Sequence, residues 1–137
     1  MEIRPFQEID EAAVTALWTS VFGYPAPHRE PAKVIRHKLA LQRELFFVGY
    51  EGVELAGTVM GGYDGHRGWI YTLAVSPAFR GRGFGAELMR HVERELANLG
   101  CLKINLQILA TNSDVVPFYE KMGYRVEERI SMGKIVE

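Results

Sequence analysis

Apolar residues recur at helical spacing in an early stretch of the chain. Ala13, Val14, Leu17, Trp18, Val21 and Phe22 repeat with a period near 3.6, and Asp10 stands where a cap is wanted. Ahead of them, Ile3 to Phe6 reads as a short strand. "GYPAPHRE" (residues 23–30) reads as a loop by its glycine and prolines. A second helix is predicted over about residues 31–42, with Pro31 in the first turn, where its missing N–H costs nothing. The period then changes. "LFFVGYE" and "VELAGTVMGGY" are strand-like runs joined at Glu51-Gly52, a hairpin signal, and "YDGHRG" turns the chain into "WIYTLAV" (residues 69–75). That last run is apolar on both faces, as a covered central strand should be.

Helical spacing returns from Phe84 to about Leu99, where Leu88, Val92, Leu96 and Leu99 build one face with Ala86 and Met89 beside it, and Gly100 supplies a stop. "CLKINLQIL" alternates Leu102, Ile104, Leu106 and Ile108 with polar neighbours and predicts a strand. Strand, helix and strand in about 40 residues make a right-handed crossover between parallel neighbours. A short helix over about residues 114–122 carries Pro117 in its first turn, and Gly123 ends it. "YRVEE" and "ISMGKIV" read as two final strands. The expected fold is mixed α/β: a mostly antiparallel sheet of six to seven strands with one parallel crossover and about four helices.

Composition narrows this picture. The chain has 137 residues, 47% of them hydrophobic, so residues 1–137 read as a single domain with a sizeable core. A net charge of −1 argues against a nucleic-acid partner held by overall charge, and no apolar run is long enough for a membrane partner. The first ten residues, "MEIRPFQEID", lack the layout of an export signal. The single cysteine, Cys101, excludes an internal disulfide and fits a reduced cytoplasmic setting. Its default is an inert buried thiol. His28, His37, His66 and His91 lack ligand spacing, and no metal is expected. His91 and Arg90 read as a solvated helix face. Trp18 reads as core.

One stretch does not fit a plain structural account. "SPAFRGRGFGAEL" (residues 76–88) places Arg80, Gly81, Arg82, Gly83, Phe84 and Gly85 between an apolar strand and a helix. The first N–H groups of a helix have no internal partners, and the helix dipole adds positive charge there. Bare glycine backbone lets an anion reach those groups, and Arg80 and Arg82 add full charges, so the stretch reads as a phosphate cradle. It is not a Walker A loop, because no Gly-Lys-Ser/Thr closes it. Gly81, Gly83 and Ala86 match the dinucleotide fingerprint in spacing. However, residues 76–80 separate the strand from the first glycine, and no acid stands between Lys103 and Asn112 to hold a ribose.

Arg80, Gly83 and Gly85 also fill the pattern R/Q-x-x-G-x-G/A. With "LAVSPAFRGRGFGAELM" in order and "NSDVVPFYEKMGY" (residues 112–124) after it, the chain resembles the GNAT superfamily of acetyl-CoA-dependent N-acyltransferases from end to end. "EIRPF" and "TVMGGYDGHRG" further resemble a bacterial subgroup, the YpeA-like acetyltransferases.

The resemblance implies roles. Backbone groups of Leu73, Ala74 and Val75 would meet the pantetheine arm of acetyl-CoA, the co-substrate. N–H groups from Arg80 through Gly81, Arg82, Gly83 and Phe84 to Gly85 would hold its pyrophosphate. The two central parallel strands would splay to admit the thioester, Asn112 would contact the cofactor arm, and Tyr119 would serve the leaving sulfur as general acid. Trp18, Phe22 and Tyr24 border a region that helps to wall the acceptor site in the family. The acceptor would be a small-molecule or peptide amine, and relatives incline the expectation toward a homodimer. The departure is the base. Many relatives carry a glutamate on the strand before the loop, whereas residues 69–75 hold no acid; a water chain or an amine that arrives already neutral would have to serve, with Asp64, His66 and Glu87 as lesser options. A CoA-binding module without chemistry, or a nucleotide-binding regulator, stays open beside the enzyme.

Overall fold

Four strands form an antiparallel meander: β1 (Glu2–Pro5), β2 (Phe46–Glu51), β3 (Glu54–Tyr63) and β4 (Gly68–Val75). A fifth, β5 (Ile104–Leu106), joins β4 in parallel, so the sheet order is β1-β2-β3-β4-β5. The computed structural model describes residues 1–23 and 27–136, so Tyr24 lies outside the described residues. It divides into two compact units, Met1–Gln107 and Ile108–Glu137.

In the first unit, α1 (Glu11–Phe22) and α2 (Pro31–Ala40) cover one face of the sheet. Val14, Leu17, Trp18 and Ile35 pack there with Phe46, Val48, Met60 and Ala74. The other face carries α3 (Phe84–Asn98), which links β4 to β5 as the crossover. Leu88, Met89, Val92 and Leu96 of α3 are buried. Each contributes about 1.5–3 kcal/mol by leaving water. The helix lies close because glycine floors the contact: a Cβ on Gly57 would stand 2.8 Å from Leu88 Cδ1, and one on Gly61 2.7 Å from Val92 Cγ2. Leu99 is half exposed, since the helix ends before it. His91 does not face water alone; its ring stands edge-on to Phe47 at 4.5 Å, and burial lowers its pKa.

Asp10 is buried but does not cap α1. Its carboxylate accepts two hydrogen bonds from the Arg4 guanidinium, one from the Gln7 N–H and one from the Tyr50 hydroxyl, each at 2.8 Å. It ties β1, the turn before α1, and β2 together. Burial pushes its pKa up, but the bonds from Arg4, Gln7 and Tyr50 outweigh this and leave it below the usual carboxylate range.

The second unit holds a 3-10 turn, Ala110–Val115, and α4 (Val116–Lys121), with Pro117 in the first turn and Gly123 past the end. The two strands expected in "YRVEE" and "ISMGKIV" are absent among the described residues, so the sheet has five strands rather than six to seven. A strand exists through its ladder, and no described residue beyond Leu106 enters one. Val126, Ile130 and Met132 are exposed. Among the described residues no helix is long and apolar enough to cross a membrane.

Candidate functional site

β4 pairs with β5 only from Gly68 to Ile70, ending at Ile70↔Leu106. From Tyr71 to Val75 it keeps β3 on one side and has no β5 partner on the other. Within that stretch the β3–β4 register jumps: Met60 faces Tyr71, and Thr58 faces Ala74, so Thr72 and Leu73 both stand opposite Val59. This is a β-bulge, which bends a strand and re-aims its backbone groups. Thr72 sits at φ 56, a left-handed conformation that a β-branched residue rarely takes.

The bulge is held from below. The buried Thr58 hydroxyl accepts the Trp18 indole N–H at 2.9 Å and donates to the Thr72 carbonyl at 3.2 Å. Trp18 is thus core, as its spacing predicts, and it is also wired to the strand edge. The apolar run "WIYTLAV" gives no hint of the bulge, because a register shift is a property of two strands. Thr58 alone, a polar residue amid apolar strand positions, marked the place.

The chain leaves β4 through a short turn, Pro77–Phe79, and enters α3 at Gly83. Phe79 and Phe84, with ring centres 5.9 Å apart, are both buried against Ala56 and clamp the two ends of the loop to the sheet. Between them Gly81 and Gly83 each take φ 80, and a Cβ at either would meet open space. The bare backbone is therefore a conformational requirement and leaves the approach clear. Gly83 is the N-cap and offers α3 no side-chain cap; the first bond into the helix is from the Glu87 N–H to the Gly83 carbonyl at 3.1 Å. The amides of Phe84, Gly85 and Ala86 are left without intrahelical acceptors at the positive end of the helix dipole. Arg80 folds back to donate from Nε to the Val75 carbonyl at 3.3 Å, and the Arg82 guanidinium stands 5.3 Å from the Phe79 ring centre. Oriented amides, open glycines and two exposed cations fit a diphosphate.

The structure thus brings together Leu73, Ala74, Val75, Arg80, Gly81, Arg82, Gly83, Phe84 and Gly85 at one strand end. Asn112 and Tyr119 belong to the second unit. Asn112 interrupts the 3-10 turn at φ −119 and ψ 32. Tyr119 lies in α4 with Phe118 at 5.0 Å and Tyr124 at 6.1 Å, both edge-on, and burial raises its pKa. Of the residues considered as a base, Asp64 is engaged in its own turn, accepting the His66 and Arg67 N–H groups at 2.7 Å each. Those bonds keep its pKa low, a poor property for a proton acceptor.

A mixed sheet with a bulged strand feeding open amides at a helix start defines an anion-binding α/β protein. The family model for the acetyltransferase (GNAT) family matches residues 11–124. An acetyltransferase of Yersinia enterocolitica is 42% identical over 134 residues, covering 98% of this chain and 94% of the relative. Among solved structures, Ard1 from Thermoplasma volcanium superposes with a TM-score of 0.80 at 24% identity, covering 92% of this chain and 83% of the other. The NatC complex bound to Gag peptide and CoA gives 0.78 at 25% identity, covering 95% and 89%. The chain belongs to the acetyltransferase (GNAT) family and is an enzyme of the N-acetyltransferase class.

Proposed function

We propose that the protein moves an acetyl group from acetyl-CoA to a primary amine by direct attack in a ternary complex. One observation carries this: the uncapped N-terminus of α3 lies behind two open left-handed glycines at the end of a bulged strand. The amides from Arg80 to Gly85 hold the pyrophosphate, and Arg80 and Arg82 balance its charge. The backbone of Leu73, Ala74 and Val75, freed from β5, binds the pantetheine arm and leads the thioester into the opening beyond Ile70. Bulge amides polarise the carbonyl. By its place in the second signature, Asn112 contacts the cofactor arm and Tyr119 gives the departing sulfur its proton. An ordinary thiol pKa near 8.5 makes that help modest. That a structural neighbour is described as bound to CoA supports the donor. The YpeA-like resemblance, the single cysteine and the resulting cytoplasmic, reduced setting belong to the same proposal.

Calorimetric titration with acetyl-CoA, with NAD and ATP beside it, is the test. Micromolar acetyl-CoA binding without competition is expected. Absence of binding withdraws the cradle and every role above. Binding without thiol release across an amine panel would leave a CoA-binding module in place of the enzyme.

A further inference from the structure

The strand before the loop has no acid, yet an amine that arrives protonated must lose a proton before it attacks. The structure holds an unused titratable pair beside the strand opening. Lys38 of α2 is only 7% exposed, and its Nζ reaches across the sheet to bond the Gly61 carbonyl and, at 3.0 Å, the Tyr71 hydroxyl. Among the described residues no carboxylate lies at ion-pair distance from it. Tyr71 is the first β4 residue beyond the last β5 partner, directly before the bulge, and is 41% exposed. Its register partner is Met60, so it stands on the face covered by α1 and α2. Gly62 makes room for it: a Cβ there would lie 3.3 Å from the hydroxyl. The turn after α2 is locked to β3 by Gln42, which donates to the Tyr63 carbonyl at 2.7 Å and accepts the Tyr63 N–H at 2.9 Å. One partner of the pair is thus buried and fixed, and the other is open to substrate.

We infer that Tyr71 is a catalytic residue and Lys38 its buried relay, together taking the proton from the incoming ammonium. This rests on the acetyl-transfer function proposed above. As the amine N–H bond breaks, its proton passes to the Tyr71 oxygen, and the Tyr71 proton passes to Lys38 Nζ. The neutral amine then attacks the thioester carbonyl, the C–N bond forms and the C–S bond breaks. The second amine proton leaves with the thiolate, giving amide and thiol, and Lys38 returns its proton to solvent. Charged Lys38 donates to both the Gly61 carbonyl and the Tyr71 oxygen; once it has lost a proton it keeps the bond to Gly61 and can accept from Tyr71. Burial pulls the Lys38 pKa down to about 8, against a small opposing pull from Glu44 in the turn before β2. The groups that act on Lys38 are therefore Tyr71 and Glu44. Burial raises the pKa of Tyr71, which keeps its hydroxyl protonated between transfers.

Two nucleophiles separate the relay from a structural role. At about pH 8.5, where Lys38 is mostly neutral, n-butylamine is still protonated and hydroxylamine is neutral. With acetyl-CoA as donor, Tyr71→Phe and Lys38→Arg should slow butylamine acetylation by about 10²-fold. Each should leave hydroxylamine within about twofold and acetyl-CoA affinity by calorimetry unchanged. Equal losses with both nucleophiles, or none with either, overturn the relay. Loss of acetyl-CoA binding by the native protein overturns the acetyl-transfer function itself. Lysine-resolved NMR titration, with Lys38 assigned by Lys38→Arg, decides the case if neither amine reacts. A transition near pH 8 supports the relay, and a Lys38 still fully protonated at pH 9 overturns it.

Discussion

Gly83 carries three jobs in one residue: a left-handed turn, a helix cap without a side chain, and an open approach. Gly83→Glu strains the first, fills the third and puts negative charge where an anion is to bind. Acetyl-CoA affinity by calorimetry should fall by about 100-fold or more, roughly 2.7 kcal/mol. Thr58 is tested differently, because it touches no substrate. Thr58→Val leaves the Trp18 N–H without its acceptor and the Thr72 carbonyl without its donor. Unsatisfied buried groups cost about 1–3 kcal/mol each. Chemical denaturation should show such a loss, and the KM for acetyl-CoA should rise as the bulge relaxes; Thr58→Ser should restore both. Tyr119→Phe should lower kcat by about 10²-fold or less at unchanged acetyl-CoA affinity. An intact kcat removes Tyr119 as the acid. The residues that sequence alone brought forward, Arg80 to Gly85, owe their legibility to being contiguous. Lys38, Tyr71, Thr58 and Thr72 are far apart in the chain and ordinary in type, and only strand register brings them together.

Elements were legible where a period ran long. α3 follows its apolar spacing and stops before Gly100, and the antiparallel strands match their alternating or apolar runs. β5 is shorter than its alternation implies, Ile104–Leu106 in place of residues 101–109, because β4 continues past Ile70 without it. The unpaired length of β4 is the feature that the proposed function uses, and alternation records side chains rather than ladder partners. The same blindness produced two expected strands after α4. The α3 start gives a prediction at this scale. Placing Asp at Gly83 would cap the helix and favour its formation locally, yet the carboxylate would compete with the ligand for the same amides. Gly83→Asp should therefore lose acetyl-CoA affinity while lowering the melting temperature less than Gly83→Ala, which strains the same left-handed turn without offering a cap, as calorimetry and thermal scans would show.

At the scale of the molecule, Asp10 governs behaviour in acid. Its folded pKa lies below the ordinary value of about 3.9, so it binds fewer protons folded than unfolded. Its stabilising contribution is complete above that ordinary value and is lost as pH falls through the lower, folded one. Asp10→Asn should cost about 2–3 kcal/mol at pH 7, less than a fully buried pair because the Arg4 side chain is 30% exposed. Urea titrations should show the gap between native and variant constant from pH 7 to about pH 5 and closing below pH 4. Tyr50, pushed up to about 12 by burial and by its bond to Asp10, stays a donor throughout. Asp10 stood out in the sequence as a cap. Its actual partners are Gln7 in the turn, Arg4 of β1 and Tyr50 of β2, and the bond from Tyr50 is a long-range closure that no local pattern encodes.

The bond from Trp18 to Thr58 has an optical consequence. Indole emission depends on the polarity and mobility around the ring, and Trp18 is shut from water, stacked on Phe46 at 5.8 Å and bonded one hydroxyl away from the bulge. The chain has two tryptophans, and Trp69 is the other. With Trp69→Phe, Trp18 becomes a lone native fluorophore attached to the strand edge, emitting at short wavelength. On the proposed function, a thioester settling against Leu73 to Val75 should register as a change in its intensity or lifetime, which would make Trp18 a built-in reporter of occupancy.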